Sequence, residues 1–303
     1  MKGILLVILI AVSINFSVYS QNSNTTLKSQ TIGPVYLMDT ERRELKSTGT
    51  HLEYSIYISL PDGYDTGTSK YPVIYITDAN QYFGMIDGIA RGMQWGNEMP
   101  ESIIVGIAYP LEQEKTNDEK WGKWLARRAQ DFTPTNNPRL DKDFGTDSIK
   151  SGGGADFLNF IETDLFPFVE SNYRAKKENR TYTGFSLGAF FGLYSMFEKT
   201  HLFNRYIIGS PSIWYDDKSI MKLEETYSKG HKDLQVDLFI SVGELEEEIN
   251  AGMVRNMLEF TSKLKSRGYK GLNLKIDMIE NGTHMSSPSV SFLNGLKFLS
   301  KDK

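Results

Sequence analysis

Seven short runs of apolar residues, mostly β-branched or aromatic, recur along this chain, and several of the segments between them carry apolar residues at helical spacing. His51-Leu-Glu-Tyr-Ser-Ile-Tyr-Ile-Ser-Leu alternates polar and apolar positions, as a strand with one buried face does, and Pro61-Asp-Gly-Tyr closes it as a turn. Tyr71 to Ile76 and Ser102 to Ala108 are continuously apolar, which suits central strands covered on both sides. Further runs lie at 180–184, 205–209, 236–242 and 272–279. Helical patterns fall between them at 155–166, 189–197, 253–264 and 290–299. Strand, helix and strand repeated in this way predict an α/β fold with a mostly parallel central sheet and helices on both faces. Ligands of such sheets sit beyond the carboxyl ends of the strands, so reactive residues are expected just after strands.

The 303 residues, 40% of them hydrophobic, are long for one core but within the range that α/β proteins fill as a single domain, here 21–303. Residues 1–20 run from Met1-Lys2 through an apolar stretch to small residues at Val18 and Ser20, the pattern of a secretory signal peptide cleaved before Gln21. The chain is therefore expected to be exported, periplasmic or secreted, with no stable membrane insertion after cleavage. Residues 21–33, rich in Ser, Asn and Thr, read as a lead-in. With no cysteine, disulfides, thiolate catalysis and a lipidated N-terminus are excluded. A formal charge of -4 offers nothing to nucleic-acid phosphates. The stretch 110–154, with two tryptophans, three prolines and the glycines 152–154, is the least regular and reads as a lid or substrate loop.

Gly184-Phe185-Ser186-Leu187-Gly188 lies directly after one strand pattern and directly before a helical one. A serine on such a turn is held strained and exposed at the rim of an α/β-hydrolase sheet, and flanking glycines remove the Cβ atoms that would clash. The Leu187 N–H then stands at a helix N-terminus, where it can stabilise an oxyanion. Ser186 is the candidate nucleophile.

A serine needs a base, and there are four histidines. His51 precedes the nucleophile, whereas this fold orders its triad as serine, acid, histidine. His201 follows the nucleophile helix and His231 leads into a strand, so both read as surface residues. His284 follows the last strand pattern and is the candidate base. For the acid, the strand ending at Val242 runs into Gly243-Glu-Leu-Glu-Glu-Glu248, which offers Glu244, Glu246 and Glu248, with Glu246 preferred.

With these residues placed, the chain resembles the putative-esterase family of α/β-hydrolases, which includes siderophore esterases, esterase D-like enzymes and feruloyl or acetylxylan esterases. The likeness covers nearly all of 35–300. It rests on Tyr71-Pro-Val-Ile-Tyr-Ile-Thr-Asp, Val105-Gly-Ile, Arg128-Ala-Gln-Asp-Phe-Thr-Pro, Ser151-Gly-Gly-Gly-Ala-Asp-Phe-Leu, the serine motif, Ser210-Pro-Ser-Ile-Trp-Tyr-Asp, Val242-Gly-Glu-Leu-Glu and Gly282-Thr-His. The resemblance implies a serine carboxylic-ester hydrolase working through an acyl-enzyme, without metal or organic cofactor. It places the acid at Glu246 and the second oxyanion donor at Ala79 or Asn80, although Asp78-Ala79-Asn80 stands where relatives commonly have Asp-Gly. The Arg-x-x-Asp-Phe-Thr-Pro and Ser-Pro-Ser-x-Trp segments are most similar to the siderophore branch. That reading implies contacts from Arg127, Arg128 and Lys123 to an anionic ligand and flat apolar surface from Trp121, Trp124 and Trp214. Lid packing by these residues, an acyl-polysaccharide substrate, an acyltransferase with the same triad and a catalytically silent binding protein are the competing readings.

Overall fold

The computed structural model describes residues 33, 35–144, 148–248 and 251–300. The expected signal peptide and its cleavage point lie outside them. Eight strands form one sheet: β1 (Thr40–Lys46), β2 (Glu53–Ser59), β3 (Tyr71–Ile76), β4 (Ile103–Ala108), β5 (Ala175–Phe185), β6 (Arg205–Gly209), β7 (Asp233–Gly243) and β8 (Lys270–Ile279), in the order β1-β2-β4-β3-β5-β6-β7-β8. β1 and β2 pair antiparallel, as do β2 and β4, and every later pairing is parallel. The helices are α1 (Ala79–Trp95), α2 (Asn117–Asp131), α3 (Pro138–Phe144), α4 (Gly154–Phe160), which passes through a π turn into α5 (Phe166–Asn172), α6 (Leu187–Glu198), α7 (Tyr215–Gly230), α8 (Met253–Arg267) and α9 (Ser287–Leu299).

The continuous apolar runs have their explanation in the two faces of the sheet. Val73 and Tyr75 of β3, and Ile103, Val105 and Ile107 of β4, join the larger core with α4, α6 and α8. Ile74, Ile76, Ile104 and Ala108 point the other way and pack with Phe83 and Ile86 of α1 and Phe292 and Leu296 of α9. Successive residues of a strand face opposite sides, so a sheet covered twice leaves β3 and β4 apolar throughout, and the polar residues of the inner strands β5 and β7 near their carboxyl ends, Thr181, Thr183 and Ser241, are small.

Several elements depart from the sequence reading, α7 among them, since no helical pattern was read at 215–230. β1, Thr-Glu-Arg-Arg-Glu-Leu-Lys, has one apolar residue and forms the sheet edge, where charged side chains deter pairing with another chain. α1 carries glycines at 84, 88 and 92, which blur its apolar period, yet its buried face of Tyr82, Phe83, Ile86 and Ala90 closes one side of the sheet. The 110–154 stretch is not irregular throughout. Its centre is the 15-residue α2, opened by a capping box in which Thr116 and Glu119 satisfy each other's backbone N–H groups, and which buries Trp124, Ala126 and Ala129.

Candidate active site

Six parallel strands end on one edge, and five of them are followed within a few residues by a polar side chain at that edge: Asp78 after β3, Ser186 after β5, Ser210 after β6, Glu246 after β7 and His284 after β8. Ser186 adopts φ 57 and ψ −119, a conformation that costs about 1–3 kcal/mol for a residue with a Cβ. It is held there by Ser186 N donating to Gly209 O at 2.9 Å, and by Phe190 N and Ser212 N donating to Ser186 O at 3.0 and 3.2 Å. The flanking glycines are required by space. A Cβ at Gly184 would lie 2.6 Å from Gly188 O, and one at Gly188 would lie 2.7 Å from Thr77 Oγ1. The Ser186 side chain is partly exposed, with its Oγ 3.5 Å from Ser212 Oγ.

The acid and the imidazole meet through two loops packed backbone to backbone. Leu245 N donates to Gly282 O at 3.0 Å, and a Cβ on Gly243 would stand 2.4 Å from that same carbonyl. Glu246 is fully buried, and both oxygens of its carboxylate find partners. Its Oε1 accepts from Ser210 Oγ at 2.6 Å and from Gly243 N at 2.8 Å, and its Oε2 lies 2.6 Å from His284 Nδ1. Against an ionised carboxylate Nδ1 must be the donor, which leaves Nε2 as the basic nitrogen. The His284 ring packs 5.0 Å from the ring of Phe185, the neighbour of Ser186. Glu244 is exposed and accepts from Asn281 N, while the Glu248 side chain lies outside the described residues. The other histidines stand elsewhere: His51 exposed in a turn after β1, His201 beside Glu162, and His231 stacked on Tyr227.

Two helix N-termini border the serine. In α6 the first intrahelical bond is made by Phe190 N, which leaves the Leu187 amide ahead of it, and in α1 Gln81 N and Tyr82 N both donate to Asp78 O, which leaves the amides of Ala79 and Asn80. The Asn80 side chain is engaged with the end of β4, donating to Tyr109 O and accepting from Tyr109 N at 2.9 and 2.8 Å. Such paired helix ends can hold a developing negative charge. Among the described residues no group of three His, Asp or Glu side chains is disposed to hold a metal ion.

The cationic contacts expected of α2 and its surroundings are spoken for within the protein. Arg128 forms a two-pronged pair with Asp78 at 3.1 and 2.8 Å, its guanidinium 4.6 Å from the Trp124 ring centroid and 5.7 Å from that of Phe132. Arg127 lies 3.6 Å from Asp131 and 5.4 Å from the ring centroids of Tyr54 and Tyr109. Lys123 bonds Glu114 at 2.6 Å. Both guanidinium groups expected to reach out to an anionic ligand are instead drawn inward by buried carboxylates, Arg127 by Asp131 one turn along the same helix and Arg128 by Asp78 fifty positions away. Trp124 is likewise buried, with Trp121 stacked on it at 4.7 Å and open to solvent. Trp214, two residues beyond Ser212, walls a cleft of about 460 Å³ together with Arg139, Leu140, Phe144 and Asp216.

The Putative esterase family model matches residues 47–286. The chain belongs to this family. As a member it is a carboxylic-ester hydrolase of the α/β-hydrolase fold. The esterase is 30% identical over 269 residues to the ferri-bacillibactin esterase BesA of Bacillus subtilis (strain 168), spanning 86% of this chain and 89% of that one. It is also 30% identical over 203 residues to the siderophore triacetylfusarinine C esterase of Aspergillus fumigatus, covering 64% of each. The crystal structure of the BES protein from Bacillus cereus superimposes with a TM-score of 0.73 at 29% identity, covering 90% of this chain and 99% of that one.

Sequence reasoning missed three residues of this edge. Ser210 and Ser212 bond the acid and the serine, and Asp78 occupies the turn before α1. Their position just past strand ends was the available signal, but a strand end does not say which way its side chain turns.

Proposed function

We propose that this esterase cleaves siderophore-type esters, with Ser186 as nucleophile, His284 as base, Glu246 as the group that orients it, and the Leu187 amide with that of Ala79 or Asn80 as oxyanion donors. The observation that carries the reading is the His284–Glu246 pair, fixed at 2.6 Å on two interlocked loops and packed against the residue before Ser186. Ser186 Oγ bonds to the ester carbonyl carbon as its proton passes to His284 Nε2, and the carbonyl oxygen becomes the oxyanion. Collapse breaks the bond to the leaving alkoxide, which takes the proton from the imidazolium. Water then repeats the sequence on the acyl-enzyme, returning Ser186 with its proton. Glu246 stays ionised and stabilises the imidazolium without itself taking a proton.

The named activities of BesA and the fungal esterase support the substrate class. A side-by-side assay of a catecholate trilactone, a feruloyl ester and acetylated xylan tests it, and preference for either plant-derived ester would overturn it. Product that appears only with an added alcohol acceptor would mark a transferase instead. Export completes the proposal, and N-terminal sequencing of the mature protein should begin at Gln21.

A further inference from the structure

Asp78 is an aspartate at a helix N-cap that does not cap. Aspartate is among the strongest N-cap residues because its carboxylate accepts from the first-turn amides of its own helix. Here Asp78, at φ 55 and ψ 36, makes no such bond. Its carboxylate, 1% exposed, is turned onto Arg128 by two hydrogen bonds, while the guanidinium is clamped between Trp124 and Phe132. The same carboxylate stands beside the other helix end, since a Cβ built on Gly188 would be 3.4 Å from its Oδ2. A negative group thus sits between the two helix N-termini whose free amides are proposed to receive the oxyanion.

We propose that Arg128 is a positioning residue that holds the Asp78 carboxylate off the oxyanion hole, leaving the α1 amides free for the transition state. The proposal rests on the serine-hydrolase reading above. Without Arg128, the carboxylate would be released toward the ordinary partner of an N-cap side chain that stands free in this first turn, the Asn80 amide, and bonding it would fill the hole with the charge it exists to stabilise. With Arg128 in place, the pair is close to neutral and the amides face the substrate. A salt bridge here serves chemistry by removing a competitor, and makes no contact with the ester.

The test compares Arg128→Met, Asp78→Asn and the double variant on p-nitrophenyl butyrate, a neutral substrate with nothing for a cationic contact to hold. Arg128→Met is expected to lower kcat by about 10²-fold, the scale of one lost oxyanion donor, with KM nearly unchanged. Labelling by a fluorophosphonate, whose phosphoryl oxygen uses the same donors, should slow in parallel. Adding Asp78→Asn should restore kcat by about tenfold and not fully, because the side-chain amide oxygen can still accept from a first-turn N–H but brings no charge into the hole; coupling of this size is ordinary for groups in contact. A loss confined to KM, or a double variant no faster than Arg128→Met, overturns the proposal. Should Arg128→Met not fold, Arg128→Lys with and without Asp78→Asn gives the same comparison, since lysine keeps the charge but not the fork. Turnover and Ser186 labelling by the unmodified enzyme test the underlying reading separately, so its failure would be distinguishable from failure of the positioning role.

Discussion

Arg127 and Arg128 are neighbours on α2, yet they serve different halves of the molecule. Consecutive helical residues point about 100° apart. Arg128 turns toward the strand-end edge and meets Asp78 beside the serine turn, whereas Arg127 turns into the layer beneath and meets Asp131 between Tyr54 and Tyr109. The difference teaches that buried ion pairs from one helix can divide between chemistry and architecture, and that only the partner's location tells which is which.

Measurements that separate these halves range widely in size. On the strand-end side, Ser186→Ala should cost about 10⁶-fold in kcat and abolish fluorophosphonate labelling while leaving the thermal midpoint intact; retained turnover would remove the nucleophile. Glu246→Ala should cost about 10⁴-fold or somewhat less, since the acid orients the base and transfers no proton. Ser210→Ala removes one of three donors to that carboxylate. A lost charge-assisted bond of about 1.5 kcal/mol corresponds to roughly a tenfold fall in kcat, read in steady-state assays with KM little changed.

Arg127→Met should show the opposite profile. Breaking a buried pair leaves Asp131 without its cation, and a loss of about 3 kcal/mol in denaturant unfolding is expected, with kcat and KM on a neutral ester retained. A large KM effect would place Arg127 at the substrate after all. The same pair also predicts a pH dependence of stability. Burial, opposed by the Arg127 charge, pushes the Asp131 carboxyl from its ordinary 3.8 up to about 6. The folded state therefore holds a proton that the unfolded state has released between those values, so this residue's contribution to stability falls as pH rises from about 4 to 6 and is level above that. Thermal midpoints of the parent and Asp131→Asn across this range should converge toward pH 4, and parallel curves would rule the titration out.

The serine proposed as nucleophile was legible because its turn is largely a local device: glycine at 184 is demanded by the backbone of Gly188 and Ala189, although glycine at 188 is demanded by Thr77 across the sheet edge, and the strand before and helix after the turn declare themselves by period. His284 followed from order along the chain, with few histidines to choose among. The central strands were legible for a related reason, since burial on both faces removes polar residues from β3 and β4. By contrast β1 was hidden by the charges that suit an edge, α1 by three glycines, and α2 by its place in a stretch rich in turn formers.

The sequence by itself thus determined the sheet, the serine turn and the direction of the chemistry, because each is written in residues close together along the chain. Only the tertiary structure decided which of three glutamates meets the imidazole, that Ser210 supports it, and that Arg128 answers to Asp78 fifty positions away. Those choices depend on where side chains converge after five strands have been laid side by side, a distance relation that neither period nor composition encodes.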